Sequence, residues 1–275
     1  MPDMTHEEGY EMLRQHVFQS TRNLEAIKTE TGSPVWLENT FLAEIRVVYS
    51  LLAKQPLGYA LDHLNLVVES LQGRDEPHPY AEATLIRTAI TASSWSLWLL
   101  TAERRLRALQ FCFKDIDGFI GFMGSQRLDP LLTVEQRERC DEVIEGMKGR
   151  QHWVIDQVDG RATTTKYHTR EKFRGKLPKD TAVVQAAAWA LPEPTTAFDA
   201  RQRLVEAWRF MSGYAHGLPW ASAGDRVPVG EPDPETGQIP VQIRGNPDNL
   251  LTGAFCAWAV IDAATERLKQ LSRAA

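Results

Sequence analysis

Apolar residues recur along this chain at the three- and four-residue spacings that place them on one face of an α-helix, and they do so from one end to the other. Thr5, with Glu8 three residues on, has the spacing of a capping box; Tyr10, Leu13, Val17, Leu24 and Ile27 then follow as one rough face as far as Gly32-Ser33-Pro34. A second predicted helix starts at Pro34 and repeats Leu37, Phe41, Ile45, Val48 and Leu52, with Glu38, Glu44, Arg46 and Lys54 off the stripe. Pro56 is expected to break it, because proline has no N–H for the helix ladder, and Leu57 to Leu71 to form a separate helix before Gly73.

From Tyr80 to Leu100 the only charges are Glu82 and Arg87, and Ile86, Ile90, Trp95, Leu97, Trp98 and Leu99 surround the helical axis. A helix that is apolar all round belongs at the centre of a bundle, and Arg87 within it reads as one partner of a buried salt bridge. Leu106, Leu109, Phe113 and Ile116 mark the next helix, which is expected to fade at Gly118 to Gly124; Thr133 caps a strongly charged one reaching about Val158. Further helices are predicted over Thr181 to Leu191, Phe198 to Gly217 and Asn249 to Leu271. Arg226 to Gly230 and Gln238 to Gly245 alternate apolar and polar residues around a turn rich in proline, a β-hairpin at an edge. The expected fold is therefore all-α: a multi-helix bundle with one small β-hairpin near the C-terminus. An N-terminal helical region, 1–79, precedes a bundle over 80–275 that carries an inserted basic segment, 160–180, and the hairpin, 226–245.

With 275 residues and 43% hydrophobic content the chain can bury a sizeable core. A net charge of -5 argues against a protein that coats DNA. Cys112, Cys140 and Cys256 are three and widely spaced, which fits neither a disulfide framework nor paired zinc ligands, so no metal or cofactor is expected. The longest uncharged run of the Trp-rich region, Thr88 to Ala102, is too short to cross a bilayer, and the acidic start Met-Pro-Asp-Met-Thr-His-Glu-Glu is unlike a secretory leader. The expectation is a cytoplasmic protein without a membrane partner. One stretch departs from the acidic average: Arg161, Lys166, Arg170, Lys172, Arg174, Lys176 and Lys179 face a single acid, Glu171, and alternate with Tyr167, His168 and Phe173. Cations neutralise phosphates and aromatic rings stack on unpaired bases, so Lys166, Arg170, Lys172, Arg174 and Lys176 are candidate nucleic-acid contacts; a solvated loop is the alternative.

The signatures of nucleotide-binding loops, serine hydrolases, zinc proteases and kinases are missing. What is present is Arg209-Phe-Met-Ser212-Gly-Tyr214-Ala-His216, an arginine and a histidine with six residues between them. Seven helical positions make nearly two turns, so Arg209 and His216 face the same way with Ser212 between them. Here the chain resembles the HEPN superfamily, whose signature is Arg, four to six residues, then His in an all-helical bundle. Many active members have a polar residue directly after that Arg, where this chain has Phe210. Tyr80 to Leu271 is also similar to bacterial helical proteins that combine a Trp-Leu-Leu helix, here Trp98-Leu99-Leu100, with a Ser-Gly-Tyr-x-His-Gly element, here Ser212 to Gly217.

The HEPN resemblance implies an endoribonuclease of toxin or phage-defence type, working without a metal and as a homodimer, with an antitoxin or other protein as a further partner. In it His216 would move the proton of an attacking 2′-hydroxyl, Arg209 would hold the phosphate and Ser212 would orient either. Three alternatives stay open: a non-catalytic RNA- or protein-binding module, a small-molecule pocket near Trp98 and Trp208, and purely structural roles in which His216 closes a helix and Arg209 pairs with Glu206.

Overall fold

The computed structural model describes residues 5–71, 77–160, 169–193 and 198–274. Of these, 74% are helical, and the sheet among them is a two-stranded antiparallel hairpin. The helices are α1 (His6–Ala26), α2 (Pro34–Leu42), α3 (Tyr49–Leu71), α4 (Pro79–Leu99), α5 (Arg104–Arg127), α6 (Val134–Asp159), α7 (Arg170–Arg174), α8 (Asp180–Ala190), α9 (Ala200–Ala215) and α10 (Pro247–Leu271). Strands β1 (Arg226–Pro228) and β2 (Val241–Ile243) pair Val227 with Gln242. Both are shorter than the alternation suggested, since Pro228 and Pro240 bound the ladder. No helix among the described residues is long and apolar enough to cross a membrane.

The chain forms two compact units. One comprises Met1–Leu37, Ser50–Thr101 and Asp180–Ala275, the other Glu38–Tyr49 and Ala102–Lys179. The division at residue 79 expected from the sequence is not where they part. Helix α1 packs on α10, and Ser96 of α4 donates to the Ala53 carbonyl of α3 at 2.7 Å, so the N-terminal helices share the core of the first unit.

In that unit α4 is the central helix, packed on α8, α9 and α10. Its residues from Ser93 to Leu99 are all buried, seven in a row, which leaves no side of the helix for charge. Two of the three serines among them place their hydroxyls on backbone carbonyls: Ser93 bonds Ala89 at 2.7 Å, and Ser96 reaches Ala53, while the buried Ser94 hydroxyl has no partner among the described residues. The second contact bears on Pro56, which lies inside α3 and does not break it. Proline strips the helix of one donor and crowds the preceding turn, and the Ser96 hydroxyl supplies a donor to that turn from outside. The break falls instead at Arg46, whose backbone is left-handed at φ 56°. The expected start signals at Thr5 and Thr133 form complete capping boxes, and α9 and α10 are capped by Asp199 and Asn246, which the apolar pattern did not single out.

In the second unit α5 and α6 form an antiparallel hairpin, tied by Arg127 to Asp141 at 2.5 Å and by Gln151 to Asp117 at 3.0 Å. Gly118, Gly121 and Gly124 do not end α5. Arg105 is held between the Glu38 carboxylate at 2.7 Å and the Phe41 ring at 4.2 Å, and Phe41 packs on Trp153.

Gly253 fixes how closely α10 approaches its neighbours, since a Cβ there would lie 2.9 Å from Ile86 Cγ2 and 3.2 Å from Met211 Cε. We expect Gly253→Ala to cost about 1–3 kcal/mol through overpacking, read as a lower denaturation midpoint at unchanged helical content. An unchanged midpoint would show that α4, α9 and α10 are not close-packed here.

Candidate phosphate site on helix α9

Helix α9 is amphipathic, with Leu204, Ala207, Trp208, Met211, Gly213 and Tyr214 buried. Its C-terminus is a Schellman motif: Leu218 N–H bonds the Gly213 carbonyl and Gly217 N–H bonds Tyr214, each at 2.8 Å. Gly217 takes the left-handed conformation this requires, φ 64°. His216 is the C-cap residue, and its N–H still bonds Ser212 at 3.0 Å, so it continues the helical spiral.

Two hydroxyls lock α9 to α4. Arg87 Nε donates to Ser212 Oγ at 3.0 Å, and Ser212 passes its proton to the Trp208 carbonyl at 2.7 Å. In return Trp208 Nε1 donates to Thr91 Oγ1 at 2.9 Å, and Thr91 donates to the Arg87 carbonyl at 2.9 Å. The Arg87 guanidinium also lies 5.9 Å from the Trp208 ring centroid, within cation–π reach. Arg87 is half-buried and has no carboxylate partner among the described residues, so the salt bridge expected for it is replaced by a hydroxyl and a ring. Four of its five N–H groups keep no partner among the described residues. The signal in the sequence for this arrangement is a lone cation on an apolar helix with no acid at helical spacing to match it.

The next residue, Gly213, is a close approach. A Cβ here would meet Trp220 Cζ2 at 2.6 Å and Ala221 Cβ at 2.7 Å, so only glycine lets that turn lie on the helix. Tyr214 is buried, and its hydroxyl bonds the Asp225 carboxylate, which fastens the same turn from behind. Desolvation raises the Asp225 pKa against the opposing effect of its bond with Asn246.

Arg209 and His216 differ from all of these. Both side chains are exposed, neither has a hydrogen bond or ion pair among the described residues, and the expected Arg209–Glu206 pair does not form. Residues three or four apart are neighbours on a helix, so 209, 212, 213 and 216 make a diamond. Arg209 and His216 are its ends. Ser212 on one flank brings in Arg87, and Gly213 on the other brings in Trp220. Two guanidinium groups beside an imidazole suit a phosphodiester, whose paired oxygens accept from guanidinium N–H groups and whose reaction needs proton transfer near neutral pH.

The basic segment is built differently. Lys166 lies outside the described residues, as do Arg161, Tyr167 and His168. Thr169 caps the short α7, whose Phe173 is buried against Phe113 at 4.4 Å. Arg170 and Arg174 both bind Asp117, at 2.6 Å each, while Lys172 and Lys176 are exposed. The acid missing from the local sequence thus comes from α5. The structure groups Arg170, Lys172, Arg174 and Lys176 within one unit and Arg209, Ser212 and His216 within the other. The large grooves of the first unit, about 1040 and 890 Å³, run along α1, and Trp98 and Trp208 line neither.

Comparison with family models, with curated proteins and with solved structures finds no match to this chain.

Burial raises the Asp117 pKa, but hydrogen bonds from Arg170, Arg174 and Gln151 outweigh it, and the net shift is downward. A depressed carboxylate stabilises the fold above its unfolded pKa, near 3.9, and loses that contribution as pH falls through the lower folded value. We expect Asp117→Asn to cost about 1–2 kcal/mol at neutral pH and to flatten the loss of stability on acidification, as followed by denaturation midpoints between pH 7 and pH 3. A variant with the pH profile of the parent would show that this cluster does not hold α7.

Proposed function

We propose that the face of α9 formed by Arg209, Ser212 and His216, together with Arg87, binds an RNA phosphodiester and cleaves it. The observation that carries this reading is a division of labour within one short segment. Ser212, Gly213, Tyr214 and Gly217 each have a packing or hydrogen-bonding task, whereas Arg209 and His216 stand exposed on the same stripe with none. Residues with no structural work beside a guanidinium that has no acid form a receptive site for an anion.

In this reading the imidazole of His216 takes the proton from a ribose 2′-hydroxyl as its oxygen forms a bond to phosphorus. The bond from phosphorus to the 5′-oxygen breaks, and the leaving oxygen takes up a proton, giving a 2′,3′-cyclic phosphate and a 5′-hydroxyl. Arg209 and Arg87 hold the non-bridging oxygens, where negative charge builds. Ser212 acts through Arg87, since its hydroxyl fixes the Nε and leaves the other N–H groups of the guanidinium for the phosphate. The same reading extends to the toxin or defence ribonuclease implied by the HEPN resemblance, working as a homodimer. The end of the α5–α6 hairpin, where Phe122, Leu128, Leu131 and Val134 are exposed among charges of both signs, supports self-association.

We expect purified protein to cut RNA to cyclic-phosphate ends, and His216→Ala and Arg209→Ala each to slow cleavage on the order of a hundredfold or more at unchanged helical content and melting temperature. Failure of the wild-type protein to cut any of a broad panel of structured and single-stranded RNAs would overturn the catalytic reading. So would variants that lose stability and keep activity.

A further inference from the structure

The diamond on α9 has an aromatic flank that the cleavage chemistry does not use. Trp220 is 57% exposed, which is a large apolar area to leave in water unless something covers it. It is also held in place. The Cζ2 and Cη2 edge of its ring rests on Gly213, the ring of Phe210 lies edge-on at 6.5 Å, and the Leu218 N–H bond to Gly213 and the Tyr214 hydroxyl bond to Asp225 pin the turn on either side. Gly213 is a direct helical neighbour of both Arg209 and His216, four residues from one and three from the other. A half-open indole is therefore packed on the residue that neighbours both Arg209 and His216 on the helix. Arg226 donates to the Pro219 carbonyl at 3.2 Å, which ties a further cation to the residue before Trp220.

We propose that Trp220 is a stacking surface for one unpaired base of single-stranded RNA, the base belonging to a nucleotide adjoining the phosphate held by Arg209 and Arg87. This inference rests on the phosphodiester reading of the same site. A base within a duplex has both faces covered by its neighbours, so it cannot lie on Trp220 while its phosphate reaches α9; an unpaired base can. The indole accepts any base, since every base has a π-face, and the preference it creates is for strandedness rather than sequence. Only glycine at 213 lets the ring come this close to the cations, which gives the close approach a functional use.

The test uses the full-length protein and short 2′-O-methyl RNA, which carries the phosphates and bases and cannot be cut, with affinity followed by fluorescence anisotropy. The wild-type protein should prefer the single strand over the duplex of the same sequence by about thirtyfold, the middle of the range for one stacked base. One abasic nucleotide walked along the strand should weaken binding by a similar factor at a single position. Trp220→Ala should abolish both effects, and Trp220→Phe should restore most of each. Wild-type protein that binds RNA but is indifferent to strandedness and to every abasic position overturns the role of Trp220 and leaves the phosphate site standing. The abasic series on unmodified protein decides this even if Trp220→Ala does not fold. Wild-type protein that binds no RNA overturns the phosphodiester reading, and this inference with it.

Discussion

A closed circuit of four hydrogen bonds joins α4 to α9, and the candidate site depends on it. Arg87 gives a proton to Ser212, Ser212 to the Trp208 carbonyl, the Trp208 indole to Thr91, and Thr91 to the Arg87 carbonyl. Each hydroxyl has one proton to give, so each must accept where it does not donate, and the direction of every bond is set. Arg87 sits on the most buried helix of its unit, where a charge is costly unless its N–H groups find partners. The circuit satisfies the Nε and leaves the other N–H groups of the half-buried guanidinium without a partner among the described residues. Removing the Ser212 hydroxyl would leave this cation with the Trp208 ring alone among the described residues.

From this lock the arrangement of the site follows. Because Ser212 is committed to Arg87, the neighbours of Ser212 on the helix, Arg209 and His216, lie beside a second cation. Because Gly213 is committed to Trp220, the other flank is aromatic. The short Schellman end then reverses the chain within reach of the helix it has just left, so that the turn carrying Trp220 packs back on Gly213. The eight-residue stretch from Arg209 to His216 that reads as one motif is two kinds of residue: those that build the helix end and those displayed on it.

Much of this architecture is legible in the sequence wherever local chemistry decides it. Thr5, Thr133 and the Gly217-Leu218-Pro219 stop mark helix ends through bonds made within a few residues. The sparse charge from Tyr80 to Leu100 announces a central helix because burial on all sides excludes charge. The misreadings have a shared cause, in partners distant in sequence. Pro56 is carried inside α3 with help from Ser96, forty residues away. The basic segment finds its acid at Asp117, and Arg87 finds Ser212 across 125 residues. The face shared by Arg209 and His216 was readable from helical spacing alone, whereas the membership of Arg87 and Trp220 needed the packing of α4 and of the turn after α9.

Arg87, Arg209 and His216 are proposed to receive one phosphodiester together. This is tested most directly by nuclear magnetic resonance, titrating a 2′-deoxy dinucleotide into protein labelled at arginine and histidine side chains. The Nε signals of Arg87 and Arg209 and the ring signals of His216 should shift together along one saturation curve, while Arg170 and Arg174 stay in place. Shifts confined to the basic segment, or an Arg87 signal that stays unmoved while Arg209 and His216 respond, would contradict this shared site.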